Sequence, residues 1–249
     1  MFTLNDLTFL VTGASSGIGA CVCTIISELG GRVVGFGRDH ARLEASIKSL
    51  KGYGHIGFSV ELTNQEKITE AVKVLGDNGV RLNGLVHCAG VHSLRTMATQ
   101  KQEHIMHVLA TNVAAPLALT RVVLNEKIVS EGASIVFLSS AAAFRGEAAL
   151  SAYTASKGAL VSVVRALAAE LAPRYIRVNA VAPGIIDTAM SRIFLSKLSP
   201  ERLIAVRHNH PFGFGVVEDV ARPITFLLSP AARFINGQTL AIDGGLSAF

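Results

Sequence analysis

Tyr153 and Lys157 have the residue types and the spacing that best suit catalysis in this sequence. A separation of four residues places both side chains on one face of a helix. A phenol titrates near pH 10, and a neighbouring ammonium favours the ionised form, so Lys157 is expected to lower the pKa of Tyr153. Tyr153 could then exchange a proton with a carbonyl or alcohol oxygen that the hydroxyl of Ser140 also holds. The alternative is an ordinary Tyr–Lys pair on a helix surface after a serine-rich loop.

A glycine-rich turn follows the first apolar run of the chain. It reads Gly13-Ala14-Ser15-Ser16-Gly17-Ile18-Gly19 and is followed by a helix-like stretch. Glycine lets a backbone turn tightly and bring its amide groups close to a phosphate, and a helix N-terminus favours an anion. The turn therefore predicts a site for the pyrophosphate of a dinucleotide, which would supply hydride to the proton chemistry at Tyr153. The alternative is a structural turn between a strand and a helix.

The end of the second apolar run bears on which dinucleotide is bound. A carboxylate at this point accepts hydrogen bonds from an adenosine ribose, whereas a cation suits a 2′-phosphate. We place Gly37 at the acid's position, with Arg38 beside it and Asp39 as the N-cap of the next helix. This arrangement favours NADP(H), with NAD(H) as the alternative. Arg38 could instead be a solvated surface arginine.

Apolar, β-branched runs alternate with amphipathic stretches along the whole chain, a rhythm that positions these residues on a doubly wound parallel α/β sheet. The predicted strands are 7–12, 32–36, 55–60, 84–88, 134–138, 177–181 and 238–242. The predicted helices are 17–29, 40–50, 65–76, 100–130 with an interruption near Asn112, 152–172, 218–228, and one that begins at Ser199. Ligands of such sheets bind at the carboxyl ends of the strands. We expect one domain over residues 1–249, with a substrate lid at about 189–214.

The composition limits the other classes of protein. Half of the 249 residues are hydrophobic and only 16% are charged, which excludes disorder and suits a sheet covered on both faces. The uncharged stretch 7–27 contains the glycine-rich turn, so we expect no membrane span there. The net charge of +5 is spread along the chain, which argues against a nucleic-acid surface. Three cysteines in so long a chain indicate a reducing, cytoplasmic compartment.

Together these motifs resemble the short-chain dehydrogenase/reductase family in its single-domain form, along essentially the whole chain. The matching residues are Thr12 with Gly13, Gly17 and Gly19; Cys88-Ala89-Gly90; Asn112; Ser140, Tyr153 and Lys157; Pro183-Gly184 with Thr188; and the closing run from Gly237 to Gly245. The resemblance implies a Rossmann-type sheet of seven parallel strands in the order 3-2-1-4-5-6-7, with helices on both faces. It also implies a homotetramer or homodimer assembled through the two long helices.

The resemblance also implies the role of each site residue. Tyr153 would be the general acid/base, Lys157 would lower its pKa and bind the nicotinamide ribose, Ser140 would orient the substrate, and Asn112 would help to hold a proton-relay water. The implied cofactor contacts are Gly13, Ser15, Ser16, Gly17, Ile18, Gly19, Gly37, Arg38, Glu61, Leu62, Cys88, Ala89, Gly90, Val113, Tyr153, Lys157, Pro183, Gly184, Ile186 and Thr188. No metal is implied, and the histidines lack acidic or cysteine partners at ligand spacing.

Three residues depart from the family pattern. Cys88 stands where an asparagine usually ties the central strands together, and a thiol is a weaker hydrogen-bonding group, so we expect modest local loosening. Ser16 stands where many NADP-preferring relatives carry a basic residue, which tempers the assignment of Arg38. Glu61 stands where the family usually has an aspartate near the adenine amine.

Three functions remain open at this point. The first is an NADPH-dependent reductase of a ketone or 3-oxoacyl thioester, since the chain most resembles the 3-oxoacyl-acyl-carrier-protein reductases. The second is an NAD-dependent sugar, polyol or other secondary-alcohol dehydrogenase. The third is a non-catalytic cofactor sensor or scaffold, which would have no need of the Tyr153 and Lys157 pair. We expect no fixed charge to face the reacting carbon, because the residues around the site, such as Ala141, Ala142 and Leu150, are small and apolar.

Overall fold

Seven parallel strands form one sheet in the order β3-β2-β1-β4-β5-β6-β7, as the sequence predicts. The structure is a computed structural model and describes residues 2–248. The strands are β1 (Thr8–Thr12), β2 (Arg32–Gly37), β3 (Ile56–Ser59), β4 (Leu82–His87), β5 (Val129–Leu138), β6 (Arg177–Pro183) and β7 (Thr239–Ile242). The order reverses between β1 and β4, which places the switch point of the sheet beside the carboxyl end of β1.

Helices cover both faces of this sheet. They are α1 (Gly17–Glu28), α2 (His40–Lys48), α3 (Gln65–Asp77), α4 (Gln102–Leu109), α5 (Ala115–Asn125), α6 (Ser151–Leu171), α7 (Ala189–Leu195), α8 (Pro200–His208) and α9 (Val217–Leu228). The predicted caps are confirmed: the side chain of Asp39 accepts a hydrogen bond from the Arg42 amide at the start of α2, and that of Ser199 accepts one from Arg202 at the start of α8.

Alternate residues of each central strand enter two separate hydrophobic cores. Leu10 and Leu85 point into the core shared with α3, α5 and α6, whereas Phe9, Val11 and Val86 point into the core shared with α1 and α9. All five side chains are at most 1% exposed. Strands buried on both faces are apolar at most positions, which accounts for the high apolar content of the chain.

The interruption predicted near Asn112 is a π-helical turn, Ala110–Ala114, between α4 and α5. A π turn inserts one extra residue into the helical spacing and is frequent at functional sites. The π turn joins α4 and α5 into one continuous helical stretch, Gln102–Asn125. Among the described residues, this stretch is the one helix that is long and apolar enough to cross a membrane. This stretch packs instead against α3 and α6, and Leu119 and Val123 lie in the core.

Candidate active site

A cavity of about 360 Å³ lies at the carboxyl ends of β4, β5 and β6. Its walls come from the segments that follow these strands, from α7 and α8, which lie within the predicted lid, and from Leu246. Ser140, Tyr153 and Lys157 all line it, so three residues from the end of one strand and the start of one helix meet in a single site.

Tyr153 shares the cavity with Ser140, whose side chain is held in place by the backbone of Ala142. Ser140 Oγ accepts a hydrogen bond of 3.2 Å from the Ala142 amide. Burial raises the pKa of Tyr153 above its ordinary value of 10, and a hydrogen bond with Ser140 opposes that rise. The expectation that Lys157 gives Tyr153 a lowered pKa is therefore wrong for this geometry, because burial outweighs the effects that favour the phenolate. Tyr153 is protonated at neutral pH, the form that can donate a proton.

Lys157 fastens the start of α6 to the end of β5. Its Nζ donates a 2.7 Å hydrogen bond to the carbonyl oxygen of Leu138, and Ser139 Oγ donates one of 2.8 Å to the carbonyl oxygen of Lys157. The ammonium lies 5.8 Å from the centre of the Tyr153 ring. Burial lowers the pKa of Lys157 to about 8, so this side chain is still charged at neutral pH.

Asn112 sits in the π turn and is 1% exposed. Its Oδ1 accepts a hydrogen bond from the Val91 amide at 2.8 Å, and its Nδ2 donates to the Val91 carbonyl at 2.9 Å and to Ser156 Oγ at 3.0 Å. Both amide hydrogens are thus engaged. The side chain of Asn112 positions the segment after β4 against α6, and through it the wall of the cavity.

The glycine-rich turn forms a close-fitting cradle beside this cavity. A Cβ at Gly13 would lie 3.0 Å from the Ala89 amide nitrogen, and one at Gly19 would collide with the carbonyl oxygen of Gly13. Gly13 and Gly17 have φ values of 69° and 56°, which favour glycine. No side chain caps the first turn of α1 within the described residues. The turn and the helix N-terminus therefore fit the pyrophosphate of a dinucleotide.

The family resemblance assigns the adenosine end of the cofactor to the ends of β2 and β3. A Cβ at Gly37 would lie 3.3 Å from Ser15 Oγ, so the backbone there approaches the glycine-rich turn closely. Arg38 and Glu61, which the resemblance assigns to this end, form an ion pair at 4.0 Å. Their side chains are 67% and 49% exposed, so a ligand can reach both.

The family resemblance assigns the segment after β6 to the nicotinamide end of the cofactor. Thr188 caps α7 by accepting a hydrogen bond from the Ser191 amide, and its methyl group would lie 3.6 Å from a Cβ at Gly17. The predicted contacts that line the cavity are Ile18, Cys88, Gly90, Tyr153, Lys157, Pro183, Gly184, Ile186 and Thr188. The others do not line it and lie along the turn, the strand ends or the π turn: Gly13, Ser15, Ser16, Gly17, Gly19, Gly37, Arg38, Glu61, Leu62, Ala89 and Val113.

Sequence reasoning missed several polar residues of the cavity, among them His92 and Arg145. His92 packs between the rings of Tyr153 and Phe194, and Arg145 meets the carbonyl oxygen of Leu246. Arg145 and Glu147 both line the cavity, so its wall carries charged groups as well as the small apolar residues that the sequence predicts. The only sequence signal for His92 and Arg145 is that His92 lies two residues after Gly90 and Arg145 five residues after Ser140. Among residues 2–248, no group of three histidine, cysteine or acidic residues is arranged to hold a metal ion.

Comparisons with known proteins cover nearly the whole chain. Residues 13–247 match the family model described as enoyl-(acyl carrier protein) reductase. The chain is 33% identical to carbonyl reductase family member 4 of Danio rerio, over 95% of this chain and 96% of that one. It is 32% identical to a 3-oxoacyl-[acyl-carrier-protein] reductase of Rickettsia prowazekii, over 99% of both chains. Its fold matches the structure of a short-chain type dehydrogenase/reductase from Mycobacterium ulcerans with a TM-score of 0.91 and 29% identity, over 99% of this chain and 92% of that one.

Proposed function

Since this chain belongs to the short-chain dehydrogenase/reductase family and is therefore a nicotinamide-dependent oxidoreductase, we propose that it is an NADP(H)-dependent ketone reductase. The observation that carries this proposal is the meeting of Ser140, Tyr153 and Lys157 in one cavity next to the glycine-rich cradle. The names of the relatives indicate carbonyl compounds and 3-oxoacyl groups as the first substrates to try. A non-catalytic role would leave these three side chains without a purpose.

The proposed mechanism assigns each proton and hydrogen bond to a side chain. The bound nicotinamide supplies the hydride when the substrate carbonyl is reduced. Ser140 Oγ donates a hydrogen bond to the carbonyl oxygen, and Tyr153 transfers its hydroxyl proton to the same oxygen as negative charge develops there. The raised pKa of Tyr153 suits the reduction of a ketone, because the hydroxyl group is already protonated at neutral pH.

Lys157 and Asn112 act around this proton transfer in the proposed scheme. The charged ammonium of Lys157 stabilises the phenolate that Tyr153 becomes. In the same scheme Lys157, which would lie 3.6 Å from a Cβ at Gly90, also binds the nicotinamide ribose. Asn112 holds the Val91 segment against Ser156 of α6, so that this wall of the cavity keeps its shape.

The preference for NADP(H) rests on Arg38. No carboxylate stands at Gly37, where it would repel a 2′-phosphate, and the exposed guanidinium of Arg38 can bind such a phosphate with two parallel hydrogen bonds. Glu61 forms an ion pair with the same guanidinium at 4.0 Å. We propose that the 2′-phosphate replaces Glu61 at Arg38, and that the Glu61 carboxylate then turns towards the adenine.

Two further assignments are part of the proposal. We place the chain in the cytoplasm, in keeping with its three free thiols. We also propose a homotetramer or homodimer formed through α5 and α6, between which Leu117, Leu124 and Leu167 line a shallow depression. Size-exclusion chromatography with light scattering tests the assembly.

The test of function is a panel of ketones and alcohols, including acetoacetyl thioesters and sugars, assayed by nicotinamide absorbance with both cofactors. We expect ketone reduction with NADPH. In Tyr153→Phe, loss of the proton donor should lower kcat by about 100-fold to 10,000-fold. NADPH binding, measured by fluorescence, should be retained in this variant. Undiminished turnover by Tyr153→Phe contradicts the mechanism, and faster turnover with NADH contradicts the cofactor assignment.

A further inference from the structure

Arg145 is a charged residue in the wall of the substrate cavity that the reduction of a simple ketone does not require. It lies in the segment after β5, five residues beyond Ser140, and its side chain is half-buried. Nη1 donates a 3.1 Å hydrogen bond to the carbonyl oxygen of Leu246, which also lines the cavity. The guanidinium therefore lies where the segment between β5 and α6 contacts the segment 243–248.

The segment that Arg145 meets is itself held in a fixed shape. Asp243 Oδ1 accepts a hydrogen bond from the Gly245 amide at 3.1 Å, and Oδ2 accepts one from the Ser247 amide at 2.9 Å. The Leu246 amide donates to the carbonyl oxygen of Asp243 at 3.2 Å. The Leu246 carbonyl is thereby fixed between these bonds, and it orients the guanidinium of Arg145 in turn.

The charge of Arg145 has no acidic partner in residues 2–248. A guanidinium carries five N–H donors, and one of them is engaged within this part of the chain. No described carboxylate lies within 4.0 Å of it, and Glu147, the acidic residue of the same wall, is exposed and does not pair with it. The other cation of the cavity, Lys157, is committed to Leu138 and to the Tyr153 side of the site.

We propose that Arg145 binds a carboxylate of the substrate, so that the enzyme prefers ketones that carry an acid group over neutral ketones of the same size. This rests on the proposed ketone reduction and narrows its substrate class to oxo acids. With the ketone oxygen at Ser140 and Tyr153, the carboxylate accepts hydrogen bonds from the donors of Arg145 that Leu246 leaves available. A planar, oriented guanidinium suits a carboxylate because two parallel hydrogen bonds can form.

The test compares oxo acids with their methyl esters, which differ in charge and little in shape. 3-Oxo and 4-oxo acids and the corresponding esters are assayed with NADPH in the wild type, Arg145→Met and Arg145→Lys. Arg81→Met is the matched control, since Arg81 is exposed and precedes β4, at the opposite end of the sheet. We expect kcat/KM of the wild type to be at least about tenfold higher for the acid than for the ester.

Arg145→Met should abolish this preference by lowering kcat/KM for the acid far more than that for the ester, because both substrates lose the effect of the hydrogen bond to Leu246 but only the acid loses its bond to the guanidinium. Arg145→Lys should keep part of the preference, and Arg81→Met should keep all of it. A second readout does not need turnover: with NADPH at saturation, the acid should raise the melting temperature of the wild type but not that of Arg145→Met.

Three results would overturn the inference. Equal kcat/KM for acid and ester in the wild type, with no thermal shift specific to the acid, shows that no carboxylate is recognised. An equal loss on acid and ester in Arg145→Met, with a lower melting temperature, shows that Arg145 only holds the segment 243–248 in place. Loss of the preference in Arg81→Met as well shows a general charge effect. Turnover of the ester in any of these cases leaves the proposed ketone reduction standing, whereas no turnover of any ketone counts against that function.

Discussion

The imidazole of His92 lies against the ring of Tyr153, with the ring centroids 4.7 Å apart. The same imidazole also meets the ring of Phe194 on α7, in the predicted lid, with the ring centroids 4.8 Å apart. Burial, followed by the charges of Lys197 and Lys157, lowers the pKa of His92 to about 4. A neutral imidazole therefore joins the proposed proton donor to the lid.

The packing of His92 should matter more than its ability to carry charge. We expect His92→Ala to lower kcat/KM by about tenfold, because it leaves Tyr153 and Phe194 without their common contact. His92→Phe keeps an aromatic ring between them and should stay within about threefold of the wild type. Steady-state kinetics with both variants measures this, and an equal loss in the two would indicate instead a hydrogen bond from the imidazole to the substrate.

The direction of the reaction should show in its pH dependence. Burial holds the pKa of Tyr153 above its ordinary value, so the proton donor of reduction stays loaded across the neutral range, and kcat for reduction should change little there. Oxidation needs the phenolate, and its rate should rise about tenfold per pH unit over the same range. Profiles of kcat in both directions test this, and a flat profile for oxidation would mean that another group accepts the proton.

Arg38→Asp should reverse the cofactor preference. The new carboxylate repels a 2′-phosphate and can accept hydrogen bonds from a ribose, so kcat/KM for NADPH should fall by at least about tenfold while that for NADH rises. Arg233→Asp is the control, because Arg233 is equally exposed to solvent but precedes β7, at the other end of the sheet. If the wild type prefers NADH, the assignment of NADP(H) is wrong whatever the variants show.

Cys88→Asn should stabilise the fold. The ties between β1 and β4 near this residue run through Thr12, whose hydroxyl donates to the Val86 carbonyl at 3.4 Å and accepts from the Ala89 amide at 3.1 Å. No hydrogen bond of the Cys88 side chain is found within residues 2–248. An asparagine can add one or two here, worth about 1 kcal/mol each, and thermal unfolding should move upward. An unchanged or lower melting temperature refutes the idea that Cys88 loosens the strand ends.

His87 should make the fold sensitive to acid. It is 4% exposed at the end of β4, its Nε2 lies 2.9 Å from Thr120 Oγ1, and burial lowers its pKa to about 3. Below pH about 6.5 the unfolded chain takes up a proton that the folded chain refuses, so stability falls as the pH drops from 6.5 towards 3. At pH 5 the loss is about 2 kcal/mol.

The variant His87→Leu isolates this effect. Thr120 Oγ1 keeps its 2.8 Å hydrogen bond to the Pro116 carbonyl, and the variant removes Nδ1, which has no partner among the described residues. Chemical denaturation at pH 5 and pH 7 should show a smaller loss of stability in acid than the wild type shows. If both proteins lose the same amount, the acid sensitivity comes from other groups.

The part of the site that sequence could predict is the part whose residues are close in the chain. Ser140 follows β5, Tyr153 and Lys157 lie at the start of α6, and the glycine-rich turn joins β1 directly to α1. Local spacing and strand order therefore suffice to bring these residues together. The interruption near Asn112 was predictable as a break, but its π geometry depends on Val91 and Ser156, which lie far away in sequence.

His92 and Arg145 could not be predicted, because their roles depend on contacts with Phe194 and Leu246, on segments that reach the cavity only in the folded chain. The direction of the pKa shift at Tyr153 was missed for a related reason. Helical spacing shows that Lys157 is near, but the depth of burial that outweighs a nearby charge is a property of the whole fold.

In this cavity the proton-transferring groups and most of the other lining residues belong to different segments of the chain, which affects where substitutions can be tolerated. The proton-transferring groups come from one stretch, Leu138 to Lys157, tied by two hydrogen bonds across its ends. The remaining wall comes from Ile18, from the segments after β4 and β6, from the predicted lid and from the segment 243–248, and none of these takes part in the two hydrogen bonds. Mutations in the wall can thus accumulate without disabling the reaction, which makes the lid and that segment the places where laboratory evolution should find new substrate ranges.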